Sequence, residues 1–142
     1  MELNELYSEI IKDHNLSNHN KHELASPDLS VPGRNPSCGD ELELSLRLRE
    51  GRIEDGAYTG TGCAISQASV SIMIDLVRGR TTEEAAELCR LFLMMIRSEK
   101  LSEAETDSLE EAAALCGVAK MPARVKCAAM PWHTLERALK GN

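Results

Sequence analysis

Leu42, Leu44, Leu46 and Leu48 alternate with Glu41, Glu43, Ser45, Arg47 and Arg49. In an extended chain that two-residue period puts the leucines on one side and the charged and polar residues on the other. It predicts a half-buried antiparallel strand over 41–49, a tight turn at Glu50-Gly51, and a second strand over about 52–59 with Ile53 and Ala57 among its apolar positions. A hairpin with one wet face must pack its other face on helices. Aromatic residues make up only 3% of the chain, so Leu, Ile, Val, Ala and Met must fill the core.

The helices are legible on either side. Leu3, Leu6, Tyr7, Ile10 and Ile11 recur at helical spacing and predict a helix from Leu3 to about His14. The polar stretch 15–26 reads as a solvated linker; His14, His19 and His22 cluster at or near its start, but no Cys or carboxylate completes a ligand spacing with them. Pro27, Pro32 and Pro36 exclude a helix in the next stretch and leave at most a short strand over 28–31. A helix from Cys63 or Ala64 to Val77 is expected to stop at Arg78-Gly79-Arg80, with Gly79 left-handed. Thr81 or Thr82 caps the next helix, which buries Ala85, Leu88, Cys89, Phe92, Met95 and Ile96 and ends near 99–100. Ser102 and Glu105 resemble a capping box for a helix reaching Leu115, with Leu109, Ala112, Ala113 and Cys116 facing the core. The last segment, 122–139, is expected to be helical in its second half, with a kink or a new first turn at Pro131.

Composition narrows the function. A length of 142 residues suits one domain, 1–142, able to bury a core without disulfides. Neither a secretory signal nor a run of about 18 apolar residues is present, so no membrane association and a cytoplasmic location are expected. A net charge of −7 argues against nucleic-acid binding and leaves room for a basic protein partner. Five cysteines at irregular spacing point to metal binding or thiol chemistry rather than a disulfide framework.

Three places carry that chemistry. Cys38 and Asp40 flank Gly39 in a turn leading into a strand, a thiolate and a carboxylate able to reach one point. Cys63 follows Gly60 and Gly62 at a helix N-terminus, where free amides lower a thiol's pKa. Cys127 follows Arg124 and Lys126, whose charges also favour a thiolate. Each has a plainer reading: a turn for the first, buried corner and core cysteines for the others, solvated surface charge for Arg124 and Lys126. Cys89 and Cys116 read as core residues.

Asn35-Pro36-Ser37-Cys38-Gly39-Asp40, Gly60-Thr61-Gly62-Cys63-Ala64-Ile65-Ser66 and Arg124-Val125-Lys126-Cys127 together resemble the three signatures of the IscU/NifU-N family of iron–sulfur cluster assembly proteins. The resemblance runs from Leu6-Tyr7 to about Leu139. It implies an α+β fold, a small antiparallel sheet of about three strands with helices packed on one face. Scaffold-type members carry a histidine just before the third cysteine, where this chain has Lys126. That difference, the long helical stretch between Gly79 and Cys127, and Pro131-Trp132 are similar to the SufU branch. The branch implies Zn²⁺ held by Cys38, Asp40, Cys63 and Cys127. Cys127 would accept persulfide sulfur from a cysteine desulfurase of the SufS type, with Arg124 and Lys126 steadying the released anion. Downstream SUF proteins or apo iron–sulfur proteins would follow. The competing expectations are a scaffold using the same residues for iron or a transient [2Fe–2S] cluster, and a purely structural zinc module.

Overall fold

The computed structural model describes residues 3–140. The order is α1 (Leu3–Ser17), β1 (Leu29–Asn35), β2 (Asp40–Arg49), β3 (Arg52–Thr61), α2 (Ala64–Val77), α3 (Thr82–Ile96), α4 (Glu103–Ser108), a 3₁₀ run (Glu110–Lys120) and α5 (Pro122–Leu139). The strands form one antiparallel sheet in the order β1-β2-β3. Leu42, Leu44 and Leu46 are buried on its inner face, beneath α2 and α5. Glu50 and Gly51 both take positive φ in the β2–β3 turn, as a two-residue hairpin matched to the strand twist requires.

Helix α2 is buried almost all round, from Ser66 to Val77. Helix α5 crosses from the sheet to α3, where Trp132 stacks on Phe92 with centroids 4.0 Å apart. The Trp132 indole donates to Ser69 Oγ at 2.9 Å, and Ser69 donates to the Ala128 carbonyl at 2.7 Å. These contacts fix α5, and so the residue before Ala128, against α2. Among the described residues no helix is long and apolar enough to cross a membrane.

Four expectations change. Strand β1 runs through Pro32 to Asn35 rather than stopping near Val31; proline is tolerated because β1 is an edge strand. Helix α5 is continuous from Pro122, and Pro131 lies inside it. Helix α3 stops at Ile96, short of the predicted 99–100. The stretch after Ser102 is not one α-helix. Leu109, Ala112, Leu115 and Val118 are buried to 0–1% exposure at a spacing of three, the period of a 3₁₀ helix. Cys116, expected on the core face, is half-buried and packs against the core, as does Ala113. Of the predicted α1 stripe, Ile10 and Ile11 pack against the core, while Leu3, Leu6 and Tyr7 fall outside the described side chains.

Candidate metal and sulfur site

Three separate elements meet at one end of the sheet. Register pairs Asn35 at the end of β1 with Asp40 at the start of β2, and Cys38 sits in the turn between them. Gly39 has φ +70°, a left-handed turn position with open space where a Cβ would stand, so conformation rather than crowding selects glycine there. Gly62 is different. A Cβ on it would come within 2.6 Å of both Ser66 Oγ and Asp40 Oδ1. Its missing side chain is what lets the β3–α2 corner close over the carboxylate.

Cys63 is the N-cap of α2, and its Sγ accepts from the Ser66 N–H at 3.5 Å. The Cys63 N–H donates to Asp40 Oδ1 at 2.9 Å, and the Ser66 hydroxyl donates to the same oxygen at 3.2 Å. Asn35 Nδ2 donates to Asp40 Oδ2 at 3.3 Å and reaches Cys127 Sγ at 3.6 Å. Asp40 is thus 1% exposed yet satisfied on both oxygens. The Cys127 thiol donates to Cys38 Sγ at 3.2 Å. Ligand atoms of Cys38, Asp40 and Cys127 all lie within 4.8 Å of one another. Cys63 is tied to the same carboxylate through its backbone N–H, while its thiol stands outside that 4.8 Å group.

The three thiols differ electrically. Burial raises the pKa of Cys63, but hydrogen bonds from the Ser66 amide and hydroxyl and from Cys127 outweigh it, and the net shift is downward. Cys127 is pushed far up, by burial first and then by Cys38, to which its thiol donates, and by the neighbouring Asp40 and Cys63. The basic neighbours expected to favour a thiolate do not outweigh that burial. Arg124 is exposed beside the site, and the proximity of Cys127 and Cys63 holds its guanidinium more firmly protonated. Lys126 lines an adjoining cleft bounded by β1, α3 and α5.

The remaining candidates separate from the site. Cys89 is fully buried, and burial pushes its thiol up, as expected of a core cysteine. His14 belongs to α1 rather than to the linker, whereas His19 lies exposed in the linker yet is bonded to α2. His14 is 7% exposed in the last turn of α1 and bonds Ser71 and Glu111. His19 bonds Asp75 at 2.9 Å, and Asn20 and Arg78 donate to the same carboxylate at 2.9 and 3.0 Å. These donors make the group a polar anchor tying residues 14–20 to α2. His22 lies apart, exposed. Residue type and spacing alone assign no role to Asn35 or Ser66. Ser66 lies three residues after Cys63, at capping spacing, but that spacing does not reveal its bond to Asp40; Asn35 requires the strand register.

The sequence from residue 6 to 128 matches the model of the NifU-like N-terminal domain. The chain belongs to this family. It is 40% identical, over 97% of its own length and 85% of the relative's, to the iron–sulfur cluster assembly scaffold protein IscU of Streptococcus pyogenes serotype M1. It is 35% identical to the zinc-dependent sulfurtransferase SufU of Bacillus subtilis, over 96% of this chain and 91% of that one. A crystal structure from Fervidobacterium islandicum, provisionally assigned as a cluster assembly scaffold for the SUF system, superposes with a TM-score of 0.88 at 35% identity, over 95% of this chain and 97% of the other. The chain is therefore an IscU/SufU-type member of the iron–sulfur cluster assembly scaffold family.

Proposed function

We propose that this family member accepts sulfur on Cys127 from the persulfide of a SufS-type cysteine desulfurase, with Zn²⁺ held by Cys38, Asp40, Cys63 and Cys127. The observation that supports it is the convergence of Cys38, Asp40 and Cys127 within 4.8 Å, with Cys63 tied to the same carboxylate. The donor set fits the metal: three sulfurs and one oxygen suit a tetrahedral zinc site. When bound, Zn²⁺ supplies the positive charge that keeps these thiols ionised and protects them from oxidation.

The chain's own residues then account for the transfer. Cys127 Sγ, as the thiolate, attacks the outer sulfur of the desulfurase persulfide. A new S–S bond forms there while the desulfurase S–S bond breaks. The desulfurase cysteine leaves as a thiolate, and Cys127 ends as the persulfide. Arg124, one turn before Cys127 on α5, steadies the attacking anion, and Lys126 adds positive charge on the approach. Cys38, Asp40 and Cys63 remain as anchors, with Asn35 and Ser66 fixing Asp40. The product passes to later SUF proteins or apo iron–sulfur proteins, in the cytoplasm. The name of the Bacillus subtilis relative, a zinc-dependent sulfurtransferase, agrees with this reading.

A second reading has the same residues assemble a transient [2Fe–2S] cluster. It is favoured by the 40% identity to a relative named as a scaffold. It is disfavoured by Lys126 in place of a histidine beside the third cysteine. The test is uptake of labelled sulfur from a desulfurase charged with labelled cysteine. The wild-type chain takes up label with zinc bound, and Cys127→Ser takes up none. Labelling of Cys127→Ser at the wild-type rate would sink the reading; a stable coloured cluster after anaerobic reconstitution, with no labelled persulfide, would favour the scaffold.

A further inference from the structure

The cleft that takes in Lys126 has a volume of about 690 Å³ and adjoins the sulfur site, since Asn35, which bonds Asp40 and Cys127, lies in its wall. Its floor is apolar, formed by Leu93 and Ile96 of α3 and Val125, Ala129 and Met130 of α5. Its rim is basic: Arg34, Arg97, Lys126, His133, Arg137 and Lys140 surround it, against the single carboxylate of Glu136. The chain as a whole has 23 acidic residues and 16 Lys and Arg, so five of those 16 gathered on one cleft run against its overall charge. Lys126, Ala129, His133, Arg137 and Lys140 follow one another at intervals of three or four along α5 and form a single stripe.

Much of that basic rim is available to a partner. Among the described residues Arg97 pairs only with exposed Glu99 and Arg34 only with exposed Glu41, and surface pairs of this kind are exchanged at little cost. Neither Lys126 nor Lys140 forms an ion pair among the described residues. Arg137 instead donates to the Pro32 carbonyl on the free edge of β1 at 2.5 Å, which keeps that edge from acting as an open strand template. The occupant is therefore held by side chains rather than by strand addition.

We propose that this cleft docks an acidic segment with apolar anchors from the protein that exchanges sulfur with Cys127. The stripe spans about 20 Å, the length of a helical segment of roughly 14 residues. The apolar floor takes the anchors, the basic rim pairs with the acidic face, and the partner's reactive sulfur is held beside the Cys38 turn. That the partner is the sulfur-exchanging one rests on the function proposed above; the acidic, apolar-anchored chemistry does not.

Two measurements test it. A fluorescein-labelled peptide of glutamate and leucine in helical pattern is titrated against the full chain, with a lysine–leucine peptide as counterpart. The acidic peptide binds, weakens as salt rises, and weakens about tenfold in the double variant Arg97→Glu/Lys140→Glu. The double variant Lys12→Glu/Arg90→Glu adds the same negative charge away from the cleft and binds as the wild type does. In desulfurase assays the cleft variant raises the half-saturating concentration of this protein by a similar factor, with maximal rate and zinc content unchanged. Equal effects of the two double variants, or no salt-sensitive binding of the acidic peptide by the wild type, would overturn the cleft. Failure of the wild type to act on the desulfurase at all would overturn the sulfur-transfer reading, and the peptide arm would still decide the cleft.

Discussion

Asn35 and Ser66 set the residue scale of the site. Neither carries a thiol or a carboxylate, yet between them they hold both oxygens of Asp40. A carboxylate that is 1% exposed depends on such donors, and these two share the work with the Cys63 N–H. Partners behind a metal ligand of this kind are typically worth about 10–100-fold in metal affinity. Asn35→Ala and Ser66→Ala are each expected to lower zinc affinity by about that factor, measured by competition with a chromophoric chelator, while circular dichroism stays unchanged. Wild-type affinity in both variants would mean that Asp40 is not held as described or is not a ligand. The sequence presents the thiols and Asp40 directly, because metal-binding chemistry is written in residue type. The donors behind them are ordinary polar residues, and only the pairing of Asn35 with Asp40 and the corner at Gly62 identify them.

At the scale of elements, legibility follows how local the signal is. The leucine alternation marks β2, and the Thr81–Glu84 and Ser102–Glu105 spacings mark two capping boxes, both present with side chain and backbone bonds in each direction. The 3₁₀ run defeats a helical period. A face drawn at 3.6 residues selects Leu109, Ala112, Ala113 and Cys116; the first two are buried, but Leu115 and Val118 complete the buried set, and Ala113 and Cys116 are only partly covered. Alanine-rich sequence suits either helix, so packing against α1, α2 and α3 decides between them. The basic cleft is hidden for the opposite reason: a net charge of −7 averages away five cations that only the fold gathers together. The capping box makes a direct prediction. Thr81→Ala removes the acceptor for the Glu84 N–H, bonded at 3.0 Å. It should cost about 1 kcal/mol and roughly 3 °C in thermal midpoint, with zinc binding unaffected. An unchanged midpoint would show that the start of α3 is held by its burial alone.

For the whole molecule, the candidate ligands come from the β1–β2 turn and the start of β2, the β3–α2 corner, and α5. Those elements are far apart in sequence, Cys38 and Cys127 being separated by 89 positions. A metal bound to all four side chains therefore couples the two ends of the fold, and it stabilises the folded state to the extent that the unfolded chain fails to bind it. At a free metal concentration about a thousand times the dissociation constant, that linkage amounts to about 4 kcal/mol. Spread over a chain of this size, it corresponds to a fall of roughly 10–15 °C in thermal midpoint when zinc is stripped by a chelator. The fall should be reversed by added Zn²⁺ and absent in Asp40→Ala/Cys127→Ser, whose midpoint should already be low and insensitive to chelation. The α2–α5 contact through Ser69 and Trp132 does not depend on the metal. Hydrogen exchange on stripping should therefore rise first in the 36–40 turn and the first turn of α5, ahead of α2. A midpoint that ignores chelation in the wild-type chain, with zinc shown to have been bound beforehand, would mean that the metal spans fewer elements than these four residues define.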